Sequence, residues 1–323
     1  MTAGDLERIA DLMHAPRRAI LALHPGHDGD SIASNLAMAR VLREAGHHVD
    51  IVSREQPRSE FSFLPGWNEI RFVGTERVKL EDYDVFWALD MSAASRDGID
   101  QPYPPELVTV VLDHHSSNPG WGHLNIVQAT ACSTTAVLWE VFSAVGISTD
   151  ETLATILLTG LATDTEFFAV ASAGNGFEIA AKLVAAGADY GLIDFHINRQ
   201  MRATTVSSLA RGLQGLRTES NPAFAFIVLE GTRNSVEDAR ELATTYVSRI
   251  AETDFGVVLS PAEEGQIRLE LRSHLPSYDV SVIAAELGGG GHRARSGVSS
   301  FEGSFEDALN AVREAARQVR QDA

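Results

Sequence analysis

The sequence predicts an α/β protein: an N-terminal doubly wound parallel sheet followed by a smaller C-terminal α/β module. Three observations lead there. First, Leu21-Ala22-Leu23, Val85–Leu89 and Val108–Leu112 are short, uninterrupted, β-rich apolar runs, the pattern of strands buried on both faces of a parallel sheet. Second, helical patterns alternate with these runs. Third, every run ends on an acidic or imidazole residue: His24 and then Asp28 and Asp30, Asp90, and Asp113-His114-His115. In an open α/β sheet the crevice beyond the carboxyl ends of the strands is where ligands bind.

The elements follow in order. Asp30 or Ser31 caps a helix to about Ala45, with Gly46 as its stop. His48–Val52 is a strand and Ile70–Val73 a weaker one. Ser133 caps a helix to about Val145, Asp150 caps a second from Glu151 to about Ala162, and a third spans Asn175–Ala186. Residues 1–195 are therefore read as one domain. Residues 196–220 read as a connector, with a helix through Leu213 broken by Thr218-Glu219-Ser220-Asn221-Pro222. Residues 221–323 form the second domain. Its strands are Ala223–Leu229, Phe255–Leu259, Gln266–Arg272 and Val298–Phe301, and its helices Val236–Ala251, Asp279–Leu287 and Phe305–Val319. Gly288–Gly291 reads as a loop between helix and strand.

Composition narrows the function. The chain has 323 residues, 44% hydrophobic and 22% charged, as in a soluble globular protein, and no apolar stretch of membrane-spanning length. The first residues lack the basic and apolar regions of a signal peptide. A single cysteine, Cys132, excludes an internal disulfide, fits a reducing cytoplasm, and reads as packing. The formal charge of −18 argues against binding long nucleic acid, which needs a basic surface. An anionic substrate must then be small and held locally.

The strand-end residues make a metal site the simplest reading. Asp28, Asp30, Asp90 and Asp164 bring about four negative charges, which two divalent ions would neutralise. Asp164, near the end of an apolar helix, faces the negative end of the helix dipole and calls for a cation. Two imidazoles with carboxylates suit manganese better than calcium, with zinc and iron as alternatives. Two such ions can generate a hydroxide and clamp a phosphoryl group. In the second module, Arg272-Ser273 ends a strand, the glycine run ending in His292 offers backbone N–H groups to an anion, and Arg293 and Arg295 add local positive charge. A nicotinamide-binding protein is excluded, because the first strand leads into His-x3-Asp-x-Asp and not Gly-x-Gly-x-x-Gly.

With these motifs in order, the sequence resembles the DHH phosphoesterase superfamily over nearly its whole length, and most closely the group of nanoRNases (oligoribonucleases) and pAp phosphatases. The resemblance implies two manganese ions per chain. His24 and Asp28 would hold one, Asp30 and His114 the other, with Asp90 bridging and Asp164 completing the site. It implies that His115 contacts the scissile phosphate with Asp113 behind the histidines. Arg272, Ser273, Gly289, Gly290, Gly291 and His292 would bind the substrate's base or terminal phosphate, and Arg96 matches a recurrent family arginine near the substrate. The implied substrates are short RNA, pAp or cyclic dinucleotides, and the implied assembly is a homodimer. A non-catalytic nucleotide sensor is the alternative on the same scaffold. Three residues depart from the family pattern. His27 stands where proline is usual and reads as a solvent-facing turn residue, Glu166 where glycine is usual, and Arg295 where a small residue is usual.

Overall fold

The computed structural model describes residues 2–96, 99, 101–169, 175–231, 233–262, 265–273 and 278–319. The chain divides into two units, Met1–Gln200 and Met201–Ala323, each built on a six-stranded sheet. Among the described residues no helix is long and apolar enough to cross a membrane.

In the first unit, β1 (Arg18–Leu23), β2 (His48–Ser53), β3 (Ile70–Phe72), β4 (Val85–Leu89), β5 (Val108–Asp113) and β6 (Leu124–Val127) lie in the order β3-β2-β1-β4-β5-β6. All five pairings are parallel. The strand order reverses between β1 and β4, so a crevice opens beyond the carboxyl ends of these two strands. All five residues of β4 are buried, and they alternate between two cores. Trp87 and Leu89 pack with Leu21, Leu23, Val110 and Leu112 under the helices α1 (Ala3–His14), α2 (Gly29–Glu44), α3 (Thr134–Ala144), α4 (Glu151–Asp164), α5 (Gly176–Ala185) and α6 (Tyr190–Asn198). Phe86 and Ala88 pack with Ile20, Ala22 and Val111 beneath the connections around β4, through Val78, Leu80, Ile99 and Leu107. One face is thus covered by helices and the other by loops.

In the second unit, α7 (Ala203–Gln214) precedes the sheet β11-β12-β10-β9-β8-β7. Its strands are β7 (Arg217–Ser220), β8 (Ala223–Val228), β9 (Phe255–Pro261), β10 (Ile267–Ser273), β11 (Gly290–His292) and β12 (Arg295–Phe301). Only β8 and β9 pair parallel; the rest pair antiparallel. Helix α8 (Arg233–Val247) packs on Ala225, Ile227 and Val258. The opposite face, with Phe224, Phe255, Leu269 and Leu271, packs against α9 (Val280–Glu286) and α10 (Phe305–Val319).

Several expectations are corrected. Helix α2 is capped by Asp28, whose Oδ1 accepts from the amides of Asp30 and Ser31 at 3.1 Å each, and not by Asp30 or Ser31. Residues 196–220 divide between the units: their first residues end α6, and 217–220 form β7 where a break was expected. The glycine run is not simply a loop, since Gly290–His292 pair with β12. Helix α8 ends at Val247, four residues early. Strand β6 was not foreseen, its four residues being too few for a pattern.

Candidate metal centre

The topology gathers the acidic and imidazole residues at the crevice. His24 follows β1, Asp28 and Asp30 open α2, Asp90 follows β4, Asp113 ends β5 with His114 and His115 next, and Asp164 is the last residue of α4. Six of them form two ligand groups, His24/Asp28/Asp90 and Asp30/His114/Asp164, each with all ligand atoms within 4.8 Å of one another. A third group, Asp90/His114/His115, overlaps both. Asp90 is the link: its Oδ2 lies 3.4 Å from His24 Nε2 and its Oδ1 3.7 Å from His114 Nε2. It is 4% exposed and holds a left-handed backbone at φ 60°, which costs a non-glycine residue roughly 1–2 kcal/mol. The left-handed turn sets this buried carboxylate between two histidines.

Both candidate ligand histidines are oriented from behind. His24 Nδ1 lies 3.0 Å from the Pro25 carbonyl and His114 Nδ1 3.4 Å from that of Ala131, which turns each Nε2 toward the carboxylates. His114 Nε2 also lies 3.5 Å from Asp164 Oδ2. Asp113 Oδ1 accepts from the amides of His114 and His115 at 2.7 and 3.2 Å and faces His115 Nδ1 at 2.7 Å. Asn118 donates to Asp113 Oδ2 at 2.6 Å. Asn118 was not singled out in the sequence; it lies in an unpatterned loop and gave no signal.

Asp30 is held by an element that the sequence read only as a capped helix. Its Oδ2 accepts from the Thr134 amide at 2.6 Å, and its Oδ1 from the Thr135 amide at 3.0 Å and the Thr135 hydroxyl at 2.8 Å. These amides open α3, so the positive end of the helix dipole also faces the carboxylate. Thr134 Oγ1 donates to Asp90 Oδ1 at 3.0 Å and so touches carboxylates of both groups. A carboxylate has about four acceptor positions, and three of Asp30's are filled. The approach is tight: a Cβ at Gly160 of α4 would lie 2.5 Å from Thr135 Cγ2 and 2.6 Å from Asp30 Oδ1. One at Gly29 would lie 2.5 Å from Thr163 Oγ1.

The electrostatics are those of a cation site. Burial opposes charge on His24, but the hydrogen bond to Asp90 and its charge, with that of Asp28, outweigh it and raise the imidazole to about 9. His114 likewise rises to about 9, burial being outweighed by Asp164, Asp90 and Asp30. Asp90 is depressed, because His24, His115 and His114 outweigh its burial. Burial and the charges of Asp90 and Asp164 push Asp30 up. For His115, burial is outweighed by the hydrogen bond to Asp113 and the charge of Asp90, and its pKa rises. Buried carboxylates with imidazole Nε2 atoms turned toward them fit a divalent-metal site.

The remaining candidates are placed as follows. Arg96 closes the short turn Ala94–Arg96, and its side chain lies outside the described residues. His27 is not solvent-facing: it is 3% exposed, and burial lowers its pKa. Glu166 holds φ 49° where glycine would be unstrained, followed by Phe167 and Phe168 at 55° and 68°. Cys132 is buried, which pushes its thiol up to about 11 and leaves it a packing residue. In the second unit Arg272 and Ser273 are neighbours on β10 and so project from opposite faces. Arg272 Nη1 donates to Thr245 Oγ1 at 3.0 Å, and Ser273 Oγ donates to the Asp254 carbonyl at 3.3 Å. Gly289 and Gly291 are required by close packing on β12, where a Cβ would lie 2.1 Å from the Gly297 carbonyl oxygen and 2.6 Å from that of Arg295; at Gly290 there is open space.

Residues 19–161 match the DHH family, N-terminal domain. The chain is 30% identical over 318 residues to the bifunctional oligoribonuclease and PAP phosphatase NrnA of Thermus thermophilus, covering 95% of this chain and 93% of that protein. It is 24% identical over 303 residues to the protein of the same name from Bacillus subtilis, covering 90% and 91%. An exopolyphosphatase-related protein from Bacteroides fragilis has the same fold, with a TM-score of 0.87 and 20% identity over 99% of this chain and 97% of that one. The chain belongs to the DHH family of phosphoesterases and, within that family of hydrolases, to the group that holds the NrnA proteins.

Proposed function

We propose that this protein is a manganese-dependent phosphoesterase that hydrolyses very short oligonucleotides, and pAp, to mononucleotides. The observation that carries the reading is Asp90, a strained and buried carboxylate with one oxygen toward His24 and the other toward His114. In this reading His24 and Asp28 with Asp90 would hold one divalent ion, and Asp30, His114 and Asp164 with Asp90 a second. Two bound divalent ions would activate water and neutralise the phosphoryl oxygens. The chain's own residues do the rest. Asp113 holds His115 by Nδ1 and favours its protonated form, so Nε2–H donates to the phosphoryl oxygen as charge develops there. Thr134 and Thr135 keep Asp30 and Asp90 from drifting as substrate charge enters. Residues 221–323 would bind the nucleotide, through Arg272, Ser273, His292 and the backbone of Gly289–Gly291.

The test is a manganese-supplemented turnover assay on pApA, pAp and cyclic di-AMP, with metal content measured on the same sample. Rapid release of AMP from pApA and loss of a phosphate from pAp are expected. Two metals per chain with no turnover of any of the three would overturn the reading in favour of a nucleotide sensor.

A further inference from the structure

One side chain joins the turn that carries Asp90 to the turn that carries His114 and His115. Asn118, in the loop after β5, donates from Nδ2 to the Met91 carbonyl at 2.9 Å and to Asp113 Oδ2 at 2.6 Å. Its Oδ1 accepts from the Gly120 amide at 2.8 Å. That bond settles which end of the side-chain amide is which: the oxygen is committed to a donor, so the NH2 group faces the carbonyl and the carboxylate. The backbone of Asn118 is held as well, its amide donating to the His115 carbonyl at 3.1 Å. Neither Met91 nor Asp113 is among the six candidate ligands, but each is the chain neighbour of one, Asp90 and His114.

Each bond constrains a different part of the centre. Met91 is buried and lies in neither helix nor strand. Its carbonyl is one peptide beyond the residue at φ 60°, so a bond to it fixes the direction in which the chain leaves the left-handed turn. A left-handed residue other than glycine persists where its surroundings hold it. Here the Asp90 amide donates to the Leu112 carbonyl at 3.1 Å on the way into the turn. On the way out Asn118 shares the Met91 carbonyl with Trp121, whose Nε1 donates at 3.1 Å and whose ring stacks on Tyr103 at 6.3 Å between centroids. At the other end of the link Asp113 is fully buried, and its Oδ1 serves the amides of His114 and His115 and the His115 ring. The donor that Asn118 supplies at Oδ2 stops that carboxylate from rotating.

We propose that Asn118 is a positioning residue of the metal centre: by donating to Met91 and Asp113 at once, it fixes Asp90 relative to His114 and His115. It acts through the neighbours of the ligands and not by touching an ion or the substrate. The effect on turnover rests on the proposed function; the effect on manganese affinity rests on the metal centre alone.

The experiment is calorimetric manganese binding to the full-length wild type and to Asn118→Ala, Asn118→Asp and Trp121→Phe, with the Tm of each metal-free form, followed by kcat and KM for pApA. Asn118→Ala should weaken manganese by about tenfold, as the loss of a residue that orients ligands does, and should lower kcat with KM little changed. Asn118→Asp is the discriminating variant. It keeps the size of the side chain and the acceptor for Gly120, but turns an oxygen on the Met91 carbonyl and on Asp113, so it should lose at least as much as Asn118→Ala. Wild-type manganese affinity in Asn118→Asp would mean that the side chain only fills space, and overturns the proposal. Trp121→Phe leaves Asn118 on the Met91 carbonyl and should weaken manganese by only about two- to threefold. Combined with Asn118→Ala it should cost more than the product of the two single losses, because both donors to that carbonyl are then gone; independent losses would refute the shared hold on Met91. Leu183→Ala, in the core beneath α5, is the control: its Tm should fall and its manganese affinity should not. An equal loss of affinity there would reduce the effect of Asn118 to general stability and overturn the proposal. Wild type that binds no manganese overturns the centre and the proposal with it. Wild type that binds manganese but leaves pApA intact overturns the proposed function, and the manganese affinities still decide the role of Asn118.

Discussion

Gly160→Ala offers the sharpest test of how the metal centre is held, because two effects of opposite sign meet at one atom. In an exposed helix the change would stabilise α4 by about 1 kcal/mol. At residue 160 the new methyl would lie 2.5 Å from Thr135 Cγ2, 2.6 Å from Asp30 Oδ1 and 2.8 Å from Thr135 Oγ1, so α3 or Asp30 must move. Overpacking of this kind costs about 1–3 kcal/mol, and loss of the Thr135 hydroxyl bond to a buried carboxylate about 1.5–3 kcal/mol. The clash wins, and the net is a loss of about 2 kcal/mol. For a unit of this size that is a fall in Tm of about 4–8 °C. Because Asp30 belongs to the proposed manganese centre, manganese affinity measured by calorimetry should fall by at least about tenfold. Adding Thr135→Ser, which removes Cγ2 and keeps the hydroxyl, should recover part of both losses. A Gly160→Ala protein with raised Tm and unchanged manganese affinity would refute the argument that α4, Thr135 and Asp30 form one packed unit.

Further predictions concern single groups. Asp90→Asn keeps a side chain that tolerates the left-handed backbone but removes the bridging charge; it should stay folded by circular dichroism and lose about two or more orders of magnitude in activity, and near-normal turnover would sink the bridging role. Glu166→Gly relieves a left-handed φ of 49° and should raise stability by about 1 kcal/mol in denaturant titration; an unchanged midpoint would mean the Glu166 side chain returns what its backbone costs. His24 and His114, raised to about 9 from 6.5, give the metal-free protein stability that is complete below about pH 6.5 and lost as pH rises through 9. EDTA-treated protein should therefore show a falling Tm over that window while apparent manganese affinity climbs, because the ligand imidazoles must be neutral. A metal-free Tm that rises from pH 7 to pH 9 would contradict the His–Asp contacts.

Most of the candidate ligands were legible because they lie just beyond strands that could hardly be anything else, whereas Asp164 ends helix α4. Val85–Leu89 is apolar at every position and buried at every position, so the turn after it had to carry Asp90 to the sheet's carboxyl edge. What holds those ligands was not legible. Ser133-Thr134-Thr135 reads as a helix cap, and nothing in its spacing says that its amides also serve a carboxylate from the opposite end of the domain. Gly160 lies inside the helix read from Glu151 to about Ala162, and nothing in that reading says that its role is the room it leaves for Asp30 and Thr135. His27 read as exposed because turn position and polarity both suggest water, and tertiary packing overrode both. Strands β6 and β11, at four and three residues, were not read, and the equally short β3 was found only as a weak strand.

The bonds from α3 to Asp30 span 104 and 105 residues of sequence. On a ribosome, Asp30 is synthesised long before the helix that orients it, and His114 only shortly before. An ion meeting the nascent β1 and α2 would find a carboxylate with no fixed direction. The direction of the Asp30 carboxylate is therefore settled only once α3 has emerged and docked, by amides and a hydroxyl made more than a hundred residues later.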